Sequence, residues 1–405
     1  MIRPRRRVER ERPVVVHLTT TDISLALLLA SQLKALDRAG FDVIGLSGTG
    51  PFVEYIERDG IRHIPLRNAT RSMSLKADVK VAIELWSLLR RLRPDVLHTH
   101  NPKPGIYGRI IGAAAGVPVV VNTVHGLYAT PSDRWLKRTV VYFLERMAAS
   151  FSDAEFVQNP EDIETLRQLR VPARRLHLLG NGIDLQRFST GAVSSDVRQR
   201  VRAELGASDT SVVITSVGRL VREKGFPELF AAASRLRLTH PQVVFVVAGP
   251  MDSSKKDAIS QFDMEEARRA GVRLLGHRAD VESIYAASDL FVLASHREGF
   301  PRSAMEAAAM GLPIVATDIR GCRQVVDTGV TGLLVPVGDP SALANAVGRL
   351  VDDPARRLAM GEAALEKARR EFDQEAVIRL ILDSYEEMLR RQRRAQPGSK
   401  ARRTA

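Results

Sequence analysis

Short apolar runs alternate with longer amphipathic stretches along most of the chain. In the first half, the apolar runs predict strands, and the stretches between them have helical periodicity. The strands are predicted at 14–18, 42–46, 63–66, 95–100, 117–123 and 154–158, and the helices at 24–39, 51–59, 76–92, 105–115 and 134–150. Strands that alternate with helices in this way indicate βαβ units and a parallel, doubly wound sheet.

The pattern is lost over residues 186–209 and then begins again. Strands are predicted at 212–217, 243–247, 272–275, 289–294, 313–316 and 333–335, and helices at 225–238, 256–270, 340–351, 354–370 and 374–394. We therefore predict an α/β protein with two doubly wound, Rossmann-like domains. The expected divisions are a basic tail at 1–12, a first domain at 13–185, a linker region at 186–210, a second domain at 211–372, a C-terminal helix at 373–394 and a basic tail at 395–405.

The net charge of +13 changes this picture little, because most of it lies at the two ends. Residues 1–12 carry a net charge of +4 and residues 389–405 carry +7, which leaves about +2 for everything between. Basic ends of this kind suit an anionic membrane surface or loose contact with nucleic acid. They are equally well explained as solvated, disordered ends, and we expect no specific nucleic-acid partner.

A single cysteine, Cys322, excludes an internal disulfide framework and fits the reducing cytoplasm. No apolar run approaches the ~20 residues of a membrane-spanning helix. The polar residues 19–22 interrupt the apolar stretch near the start, so we do not expect a cleaved signal peptide.

The first candidate chemistry lies in the loop after strand 289–294, which leads into a helix-forming run. A tight loop before a helix gathers backbone N–H groups and a positive dipole end, which suits a phosphate. Glu298 and Glu306 at the two ends of this loop cannot hold phosphate, but they can accept hydrogen bonds from hydroxyls. The combination indicates a ligand with both phosphate and sugar. Ser303-x-x-Glu306 also matches a capping box, which is the simpler explanation when it is taken alone.

Other strand ends carry further candidates. Arg219 and Lys224 follow strand 212–217 just before a helix, so they would form a second diphosphate clamp. Gly249 and His277 follow the next two strands, where backbone amides can approach a flat base closely.

In the first half, His125 ends a strand beside Gly126. A histidine at a strand end is often an ordinary hydrogen-bonded loop residue. We favour a functional role here because ligands of doubly wound sheets bind outside the carboxyl ends of the strands.

Together these motifs resemble the retaining glycosyltransferases of family 4. The resemblance rests on Val217 to Leu220 with Lys224-Gly225, on Glu298 to Pro301 with Glu306-Ala307, on Gly311 to Asp318, and in the first half on Arg93 to His100, Pro102 to Gly105 and Thr123 to Gly126. The first-half motifs are similar to the branch that acts on lipid-linked oligosaccharides and surface polysaccharides. Each motif alone is weak, whereas their order and spacing are specific.

The resemblance implies the GT-B fold, in which two Rossmann-like domains face each other across a cleft. The first domain would bind the acceptor and the second the nucleotide-sugar donor, and the last helix would cross back to the first domain. Arg219 and Lys224 would bind the donor diphosphate in place of a metal ion, and the sequence contains no Asp-x-Asp run. Glu306 would accept hydrogen bonds from the ribose, and Glu298 would contact the donor sugar.

The resemblance also implies that main-chain amides of the 299–301 loop meet the donor and that His125 orients its sugar. In this family the leaving phosphate takes the acceptor proton, so no protein base is assigned. Catalytic roles are thus expected for His125, Arg219, Lys224 and Glu298, and donor binding for Gly218, Arg219, Lys224, Gly249, His277, Gly299, Phe300, Pro301 and Glu306.

One stretch departs from the family pattern. Many relatives have a Gly-Gly loop after the first strand, whereas this chain has Thr19-Thr20-Thr21 there. The close backbone approach that glycine permits is lost, which leaves the acceptor side without assigned residues.

We therefore expect a metal-independent, retaining hexosyltransferase that uses a nucleotide-diphosphate sugar, with UDP-sugars favoured, and a lipid-linked or glycan acceptor. No cofactor or metal is expected. The alternatives are a non-catalytic nucleotide-sugar-binding protein and a nucleotide-sugar epimerase. Helix 134–150 interleaves basic and apolar residues, which favours peripheral attachment to the inner face of the cytoplasmic membrane. A core-packed helix with a solvated cationic face is the alternative explanation.

Overall fold

The computed structural model describes residues 10–70, 75–100, 102–129, 133–252, 255 and 257–394, with the backbone alone over 75–77. The predicted tail at 395–405 and most of the tail at 1–12 lie outside the described residues. The chain divides into two compact units. Unit 1 is Met1–Leu179 with Val377–Ala405, and unit 2 is Gly180–Ala376.

Unit 1 alternates strands and helices. The strands are β1 Val14–Thr21, β2 Asp42–Gly48, β3 Arg62–Pro65, β4 Val96–His100, β5 Val119–Val124, β6 Ala154–Val157 and β7 Leu176–Leu178. The helices are α1 Ala30–Arg38, α2 Val53–Arg58, α3 Leu75–Leu92, α4 Pro102–Ala115, α5 Trp135–Ala149 and α6 Pro160–Gln168. In the described part of the unit these strands form one parallel sheet in the order β3-β2-β1-β4-β5-β6-β7. Strands β4 and β5 are buried along their whole length, as strands covered by helices on both faces must be.

Unit 2 repeats this architecture. Its strands are β8 Val212–Val217, β9 Val243–Ala248, β10 Arg273–Gly276, β11 Leu290–Leu293, β12 Ile314–Thr317 and β13 Gly332–Val335. Its helices are α7 Ser195–Glu204, α8 Phe226–Thr239, α9 Gln261–Arg269, α10 Val281–Ala286, α11 Arg302–Ala309, α12 Arg320–Arg323, α13 Pro340–Asp352 and α14 Pro354–Glu371. The described strands pair in parallel in the order β10-β9-β8-β11-β12-β13. The order reverses between β8 and β11, which is where doubly wound sheets bind their ligands.

The last helix, α15 Gln374–Arg394, contributes most of its length to unit 1. Its side chains Ile381, Tyr385 and Leu389 are buried at intervals of four residues, so they lie on one face of the helix. They pack into the core that contains Val15 and Leu36. The C-terminal segment therefore completes the hydrophobic core of the unit formed by the start of the chain.

A buried ion network fixes α4 and α5 against β6. The Arg109 guanidinium donates to Glu145 and to Glu155, each at 2.7 Å, and the guanidinium and both carboxylates are at least 92% buried. Asn122 donates to the other oxygen of Glu155 at 2.8 Å. Each charge in this network has a partner of opposite sign, and this pairing offsets the desolvation cost of burying it.

Several observed elements differ from the prediction, and the predicted helix at 256–270 begins only at Gln261. The predicted helix at 24–39 begins with a π-helical turn, Ser24–Leu28, before α1. Helix α6 and strand β7 follow β6, where no element was predicted. The region at 186–210, expected to be a linker, contains α7, whose first turn is capped by the Ser194 side chain. The Thr19-Thr20-Thr21 stretch, expected to be a loop, forms the end of β1.

The predicted pair of parallel, doubly wound sheets is confirmed. Among the described residues, no helix has the length and apolar character that crossing a membrane requires.

Candidate active site

The candidate residues of unit 2 follow four strands that are adjacent in the sheet. In the order β10-β9-β8-β11, these strand ends carry His277, Gly249, the 218–225 loop and Glu298. Because the strands are parallel, their four carboxyl ends lie along the same edge of the sheet, which we call the carboxyl edge. His277 follows an edge strand and is exposed, whereas the other three lie nearer the middle of the sheet.

Two glycines bring backbone segments into close contact at this edge. Gly225 has a φ of +70°, and a Cβ there would lie 1.9 Å from the carbonyl oxygen of Ala294. Gly249 has a φ of +153°, and its Cβ would lie 1.8 Å from the carbonyl oxygen of Gly218. Neither position accepts a side chain without moving the backbone. The backbones at the ends of β8, β9 and β11 can therefore lie this close together only because glycine occupies both positions.

Lys224 and Glu298, which are 74 residues apart in sequence, form an ion pair in unit 2. The Lys224 ammonium donates to the Glu298 carboxylate at 2.6 Å, and Ser295 Oγ donates to the same carboxylate oxygen at 2.7 Å. The side chains are 23% and 10% exposed, respectively. The structure thus joins the predicted phosphate-binding cation to the predicted sugar-binding carboxylate.

Arg219 forms a second ion pair at the same edge. Its guanidinium donates to the Asp252 carboxylate at 2.9 Å, and its side chain is 40% exposed. Asp252 neutralises part of the positive charge but leaves donor groups of the guanidinium open to solvent.

Helix α11 begins at Arg302 after the Gly299-Phe300-Pro301 loop. Its N-cap is Pro301, and no side chain caps this end of the helix. Ser303 lies inside the helix, so the capping-box alternative is wrong. The Phe300 carbonyl accepts from the Asn181 side chain at 3.2 Å, and this contact fixes the loop.

Glu306 bonds to a tyrosine instead of capping the helix. The Tyr285 hydroxyl donates to a Glu306 oxygen at 3.1 Å and contacts the Ser303 carbonyl at 3.2 Å. Burial raises the pKa of Glu306 above its usual value, and the nearby Arg302 opposes this shift. Burial and the Glu306 carboxylate raise the pKa of Tyr285 well above its usual value, so the tyrosine remains a donor.

His125 lies in unit 1, directly after β5. Its Nε2 lies 3.1 Å from His100 Nδ1, and the Gln158 side chain also hydrogen-bonds to the ring. Burial lowers the pKa of His125 to about 4, so the ring is neutral near pH 7. A neutral imidazole has one donor and one acceptor nitrogen, and here it cannot act as a cation toward phosphate.

Three further histidines lie behind His125 in the sheet. His17, His98 and His100 are fully buried, and one nitrogen from each lies within 4.8 Å of the others, which is close enough to consider a metal ion. His98 already bonds to the Thr123 hydroxyl through Nε2 and to the Tyr385 hydroxyl through Nδ1.

Comparison with known proteins gives the family. The model for Glycosyltransferase Family 4 matches residues 29–187, and the model for Glycosyl transferases group 1 matches residues 197–367. The Escherichia coli protein named UDP-Gal:alpha-D-GlcNAc-diphosphoundecaprenol alpha-1,3-galactosyltransferase is 34% identical over 330 residues, which are 80% of this chain and 83% of that protein. The chain belongs to glycosyltransferase family 4.

Two other similarities agree with this identification. One is to N,N'-diacetylbacillosaminyl-diphospho-undecaprenol alpha-1,3-N-acetylgalactosaminyltransferase of Campylobacter jejuni. The family 4 glycosyltransferase is 23% identical to that protein over 363 residues, which are 88% of this chain and 94% of that one. The solved structure of Anabaena HepE in complex with UDP-glucose superposes with a TM-score of 0.78 at 21% identity, covering 92% of this chain and 99% of that chain. The predicted family, the GT-B fold and the enzyme class, a hexosyltransferase, are confirmed.

Sequence reasoning missed several residues around the sites of this glycosyltransferase. Tyr285 and Asp252 lie on neighbouring elements, and nothing in their local sequence marks them as partners of Glu306 and Arg219. A usable signal did exist for the buried histidines. His98 and His100 are two residues apart on a predicted strand, so they had to share one face of the sheet.

Proposed function

We propose that this glycosyltransferase moves a hexose from a UDP-sugar to a sugar that is linked through diphosphate to a polyprenyl lipid. We further propose that the transfer retains the anomeric configuration and needs no metal ion. The names of the two curated relatives support the acceptor class, because both act on a diphospho-undecaprenol-linked sugar. A UDP-sugar appears in the name of the Escherichia coli relative and in the HepE complex.

The ion pair between Lys224 and Glu298 carries the donor half of the proposal. An ammonium at the carboxyl end of a central strand, beside the start of a helix, is placed to accept a diphosphate. When the diphosphate replaces Glu298 as the partner of Lys224, the freed carboxylate can accept a hydrogen bond from a sugar hydroxyl. One exchange of partners would therefore serve both parts of the donor.

The remaining donor contacts follow from the same edge of unit 2. Arg219 would bind the diphosphate together with Lys224, and backbone amides of Gly299 and Phe300 would meet its oxygens. Pro301 has no N–H to donate, so it would shape the loop. Glu306 would accept hydrogen bonds from the ribose, with Tyr285 holding the carboxylate in place. The backbone at Gly218 and Gly249, and the exposed His277, would lie near the base.

In the proposed reaction the acceptor hydroxyl attacks C1 of the donor sugar from the side on which UDP leaves. The bond from C1 to the β-phosphate oxygen breaks, the new C1–oxygen bond forms, and a phosphate oxygen takes the acceptor proton. Arg219 and Lys224 stabilise the negative charge that grows on the leaving diphosphate. His125 would orient the donor sugar as a neutral hydrogen-bonding group.

A panel of nucleotide sugars and one synthetic acceptor test this function. UDP-sugars should raise the melting temperature of the full-length protein more than GDP- or dTDP-sugars do. With a polyprenyl-diphosphate N-acetylhexosamine acceptor, the NMR spectrum of the product should show an α-linked hexose, and activity should persist in EDTA. A β-linked product would contradict retention, and loss of activity in EDTA would contradict metal independence. A preference for GDP- or dTDP-sugars would contradict the proposed donor.

We also propose that helix α5 attaches the enzyme peripherally to the inner face of the cytoplasmic membrane. Trp135, Leu136, Val140 and Phe143 are 50–71% exposed, and their spacing places them on one side of the helix. Arg134 and Arg146 lie near the two ends of this apolar face. Exposed aromatic and aliphatic side chains among cations are the pattern of helices that lie in the interface of an anionic bilayer.

Liposome co-sedimentation tests this attachment. The protein should bind phosphatidylglycerol vesicles at low salt, and a variant with Trp135→Ser and Phe143→Ser should bind less. Leu238 belongs to unit 2 and is 85% exposed, so Leu238→Ser is the matched control and should bind like the unaltered protein. Absence of binding at low salt, or equal binding by the double variant, would remove the proposal.

A further inference from the structure

A row of hydrogen-bonded histidines runs across three adjacent strands of unit 1. His125 Nε2 lies 3.1 Å from His100 Nδ1, and His100 Nε2 lies 3.0 Å from His17 Nδ1. His17 is on β1, His100 ends β4, and His125 follows β5, which are neighbours in the sheet. The row therefore connects the fully buried His17 to the half-buried His125, which lies at the carboxyl end of β5.

All three rings are neutral at physiological pH. Burial lowers the pKa of His17 to about 3, that of His125 to about 4, and that of His100 well below its usual value. A neutral imidazole carries one N–H and one bare nitrogen. In each N···N contact one ring must donate and the other accept, so all the hydrogen bonds in the row must point the same way.

The inner end of the row decides between the two directions. His17 Nε2 is buried without a hydrogen-bond partner. If the bonds ran inward from His125, this nitrogen would be a buried N–H with no acceptor. If they ran outward from His17, it would be only a bare lone pair. Unpaired buried N–H groups are rarer in proteins than under-used acceptors, so the outward direction is favoured.

We propose that His17 and His100 are positioning residues that fix His125 in the tautomer with its proton on Nδ1. In this arrangement His17 Nδ1–H donates to His100 Nε2, and His100 Nδ1–H donates to His125 Nε2. The remaining proton of His125 then lies on Nδ1, the one ring nitrogen left for the hydrogen bond with the Gln158 side chain. A substrate oxygen on that side would share this donor or replace Gln158 as its acceptor.

This arrangement has a chemical consequence that rests on the proposed function. A His125 ring fixed as an Nδ1–H donor can hold an oxygen of the substrate, but it cannot take a proton through that nitrogen. His125 would thus orient a hydroxyl or ether oxygen and would not act as a base. That role agrees with a reaction in which the leaving phosphate takes the acceptor proton.

A metal ion is a poorer explanation for the same side chains. Of the six ring nitrogens of His17, His98 and His100, five already have hydrogen-bond partners, and His17 Nε2 is the exception. Coordination by all three rings would break at least two of these bonds inside the core, each at a desolvation cost.

The experiment is a long-range ¹H–¹⁵N correlation spectrum of the full-length protein labelled with ¹⁵N-histidine, recorded near pH 7. His17, His100 and His125 should each show the pattern of the Nδ1–H tautomer. His98 should show Nε2–H, because its Nδ1 lies next to the Tyr385 hydroxyl, a natural donor. An Nε2–H pattern for His125 in the unaltered protein would overturn the proposal. So would shifts of the His17, His98 and His100 signals on adding one equivalent of Zn²⁺, since these would indicate a cation site.

Variants of His100 provide a second readout. His100→Phe removes the donor to His125, so the His125 signal should become a mixture of tautomers and kcat should fall about tenfold, with a smaller change in KM. His100→Asn retains a donor and should recover part of both. His63, a buried histidine outside the row that bonds to Ser47, provides the control, and His63→Gln should leave the His125 signal unchanged.

The two readouts separate this proposal from the proposed function. Suppose that the three histidines show Nδ1–H tautomers but His100→Phe does not change kcat. The hydrogen-bond row would then be supported, and the proposed role of His125 in the reaction would be contradicted. Unchanged tautomers in His100→Phe would show that the row does not control His125.

Discussion

The charged candidates of unit 2 each have a polar partner that holds them in place. Glu298 holds Lys224, Asp252 holds Arg219, and Tyr285 holds Glu306. A side chain that is already ordered loses little rotamer entropy when a ligand arrives. The ligand must, however, compete with the partner, so the affinity for the donor depends on both members of each pair.

Replacing Lys224 or Glu306 with alanine should weaken use of the donor. Each change removes a charged hydrogen bond in the proposed site, so kcat/KM should fall by the equivalent of about 2–4 kcal/mol. Steady-state kinetics with varied donor concentration measures this loss. Arg222 lies two residues before Lys224 and pairs with Asp263, so Arg222→Ala is the control and should retain most activity. Unchanged kinetics for both Lys224→Ala and Glu306→Ala would contradict the assigned donor site.

The buried histidines should make unit 1 less stable in acid. An unfolded histidine takes up a proton near pH 6.5, whereas folded His17 does so only near pH 3 and folded His125 near pH 4. Between these values the unfolded chain binds more protons, so the free energy of unfolding falls as the pH falls from 7 to 4. Each such histidine contributes at most about 1.4 kcal/mol per pH unit.

Urea unfolding at pH 7 and pH 5.5 measures this effect. Both tryptophans, Trp86 and Trp135, belong to unit 1, so tryptophan fluorescence follows that unit. His17→Leu should give a shallower pH dependence. His240→Leu, in unit 2, should leave the dependence as it was. Equal stability of the unaltered protein at the two pH values would contradict the prediction.

At the scale of helices and strands, the accuracy of prediction followed the strength of the hydrophobic pattern. Strands such as β4 and β5 are apolar and buried throughout, so their sequence determines them locally. Strand β7 has three residues, none of them buried. Helix α7 has a mostly polar sequence and fully buries one side chain, Val201. These two elements form because neighbouring elements and a Ser194 cap support them, and a periodicity argument cannot detect that support.

The candidate site was predictable only in part for the same reason. Strand ends identified Arg219, Lys224 and Glu298, because the topology of parallel sheets places such ends together. The pairing of Lys224 with Glu298 depends on strands β8 and β11 being neighbours, which the chain order does not reveal. The capping-box motif at Ser303 was misleading. The N-cap of the helix is Pro301, two residues earlier in the sequence than the motif implies.

The ion network between α4, α5 and β6 should be essential for unit 1. Arg109→Met would leave the Glu145 and Glu155 carboxylates buried without their cation, so the free energy of unfolding should fall by about 3–5 kcal/mol. Urea unfolding followed by tryptophan fluorescence measures the change. Arg58 forms an exposed pair with Glu54, and Arg58→Met should cost less than about 1 kcal/mol. Equal losses in the two variants would indicate that burial of the network has no special energetic weight.

At the scale of the whole molecule, each unit has its own sheet and core, but the chain does not divide at a single point. Unit 2 is formed by one continuous segment, Gly180–Ala376. Unit 1 needs both ends of the chain, because α15 supplies Ile381, Tyr385 and Leu389 to its core. Tyr385 also bonds to His98, so the same helix closes the region of the buried histidines.

A truncation after residue 376 should therefore destabilise unit 1 and leave unit 2 folded. Removing three large buried side chains costs more free energy than most single domains can lose. Hydrogen exchange followed by mass spectrometry should show loss of protection in peptides of β1 to β7 and unchanged protection in β8 to β13. Removal of residues 395–405 alone is the control and should change neither. Equal loss of protection in both units would show that they do not fold independently.

The position of α15 also sets the order of events during synthesis on the ribosome. The amino-terminal sheet leaves the exit tunnel first, yet the side chains that seal it are translated last. At roughly 5–20 residues per second, the intervening segment takes on the order of 10–40 seconds to make. During that interval the nascent chain leaves exposed the apolar surface that α15 will cover, which makes it a candidate substrate for chaperones. Unit 2 does not wait in this way, because all of its residues have been translated once Ala376 has been added.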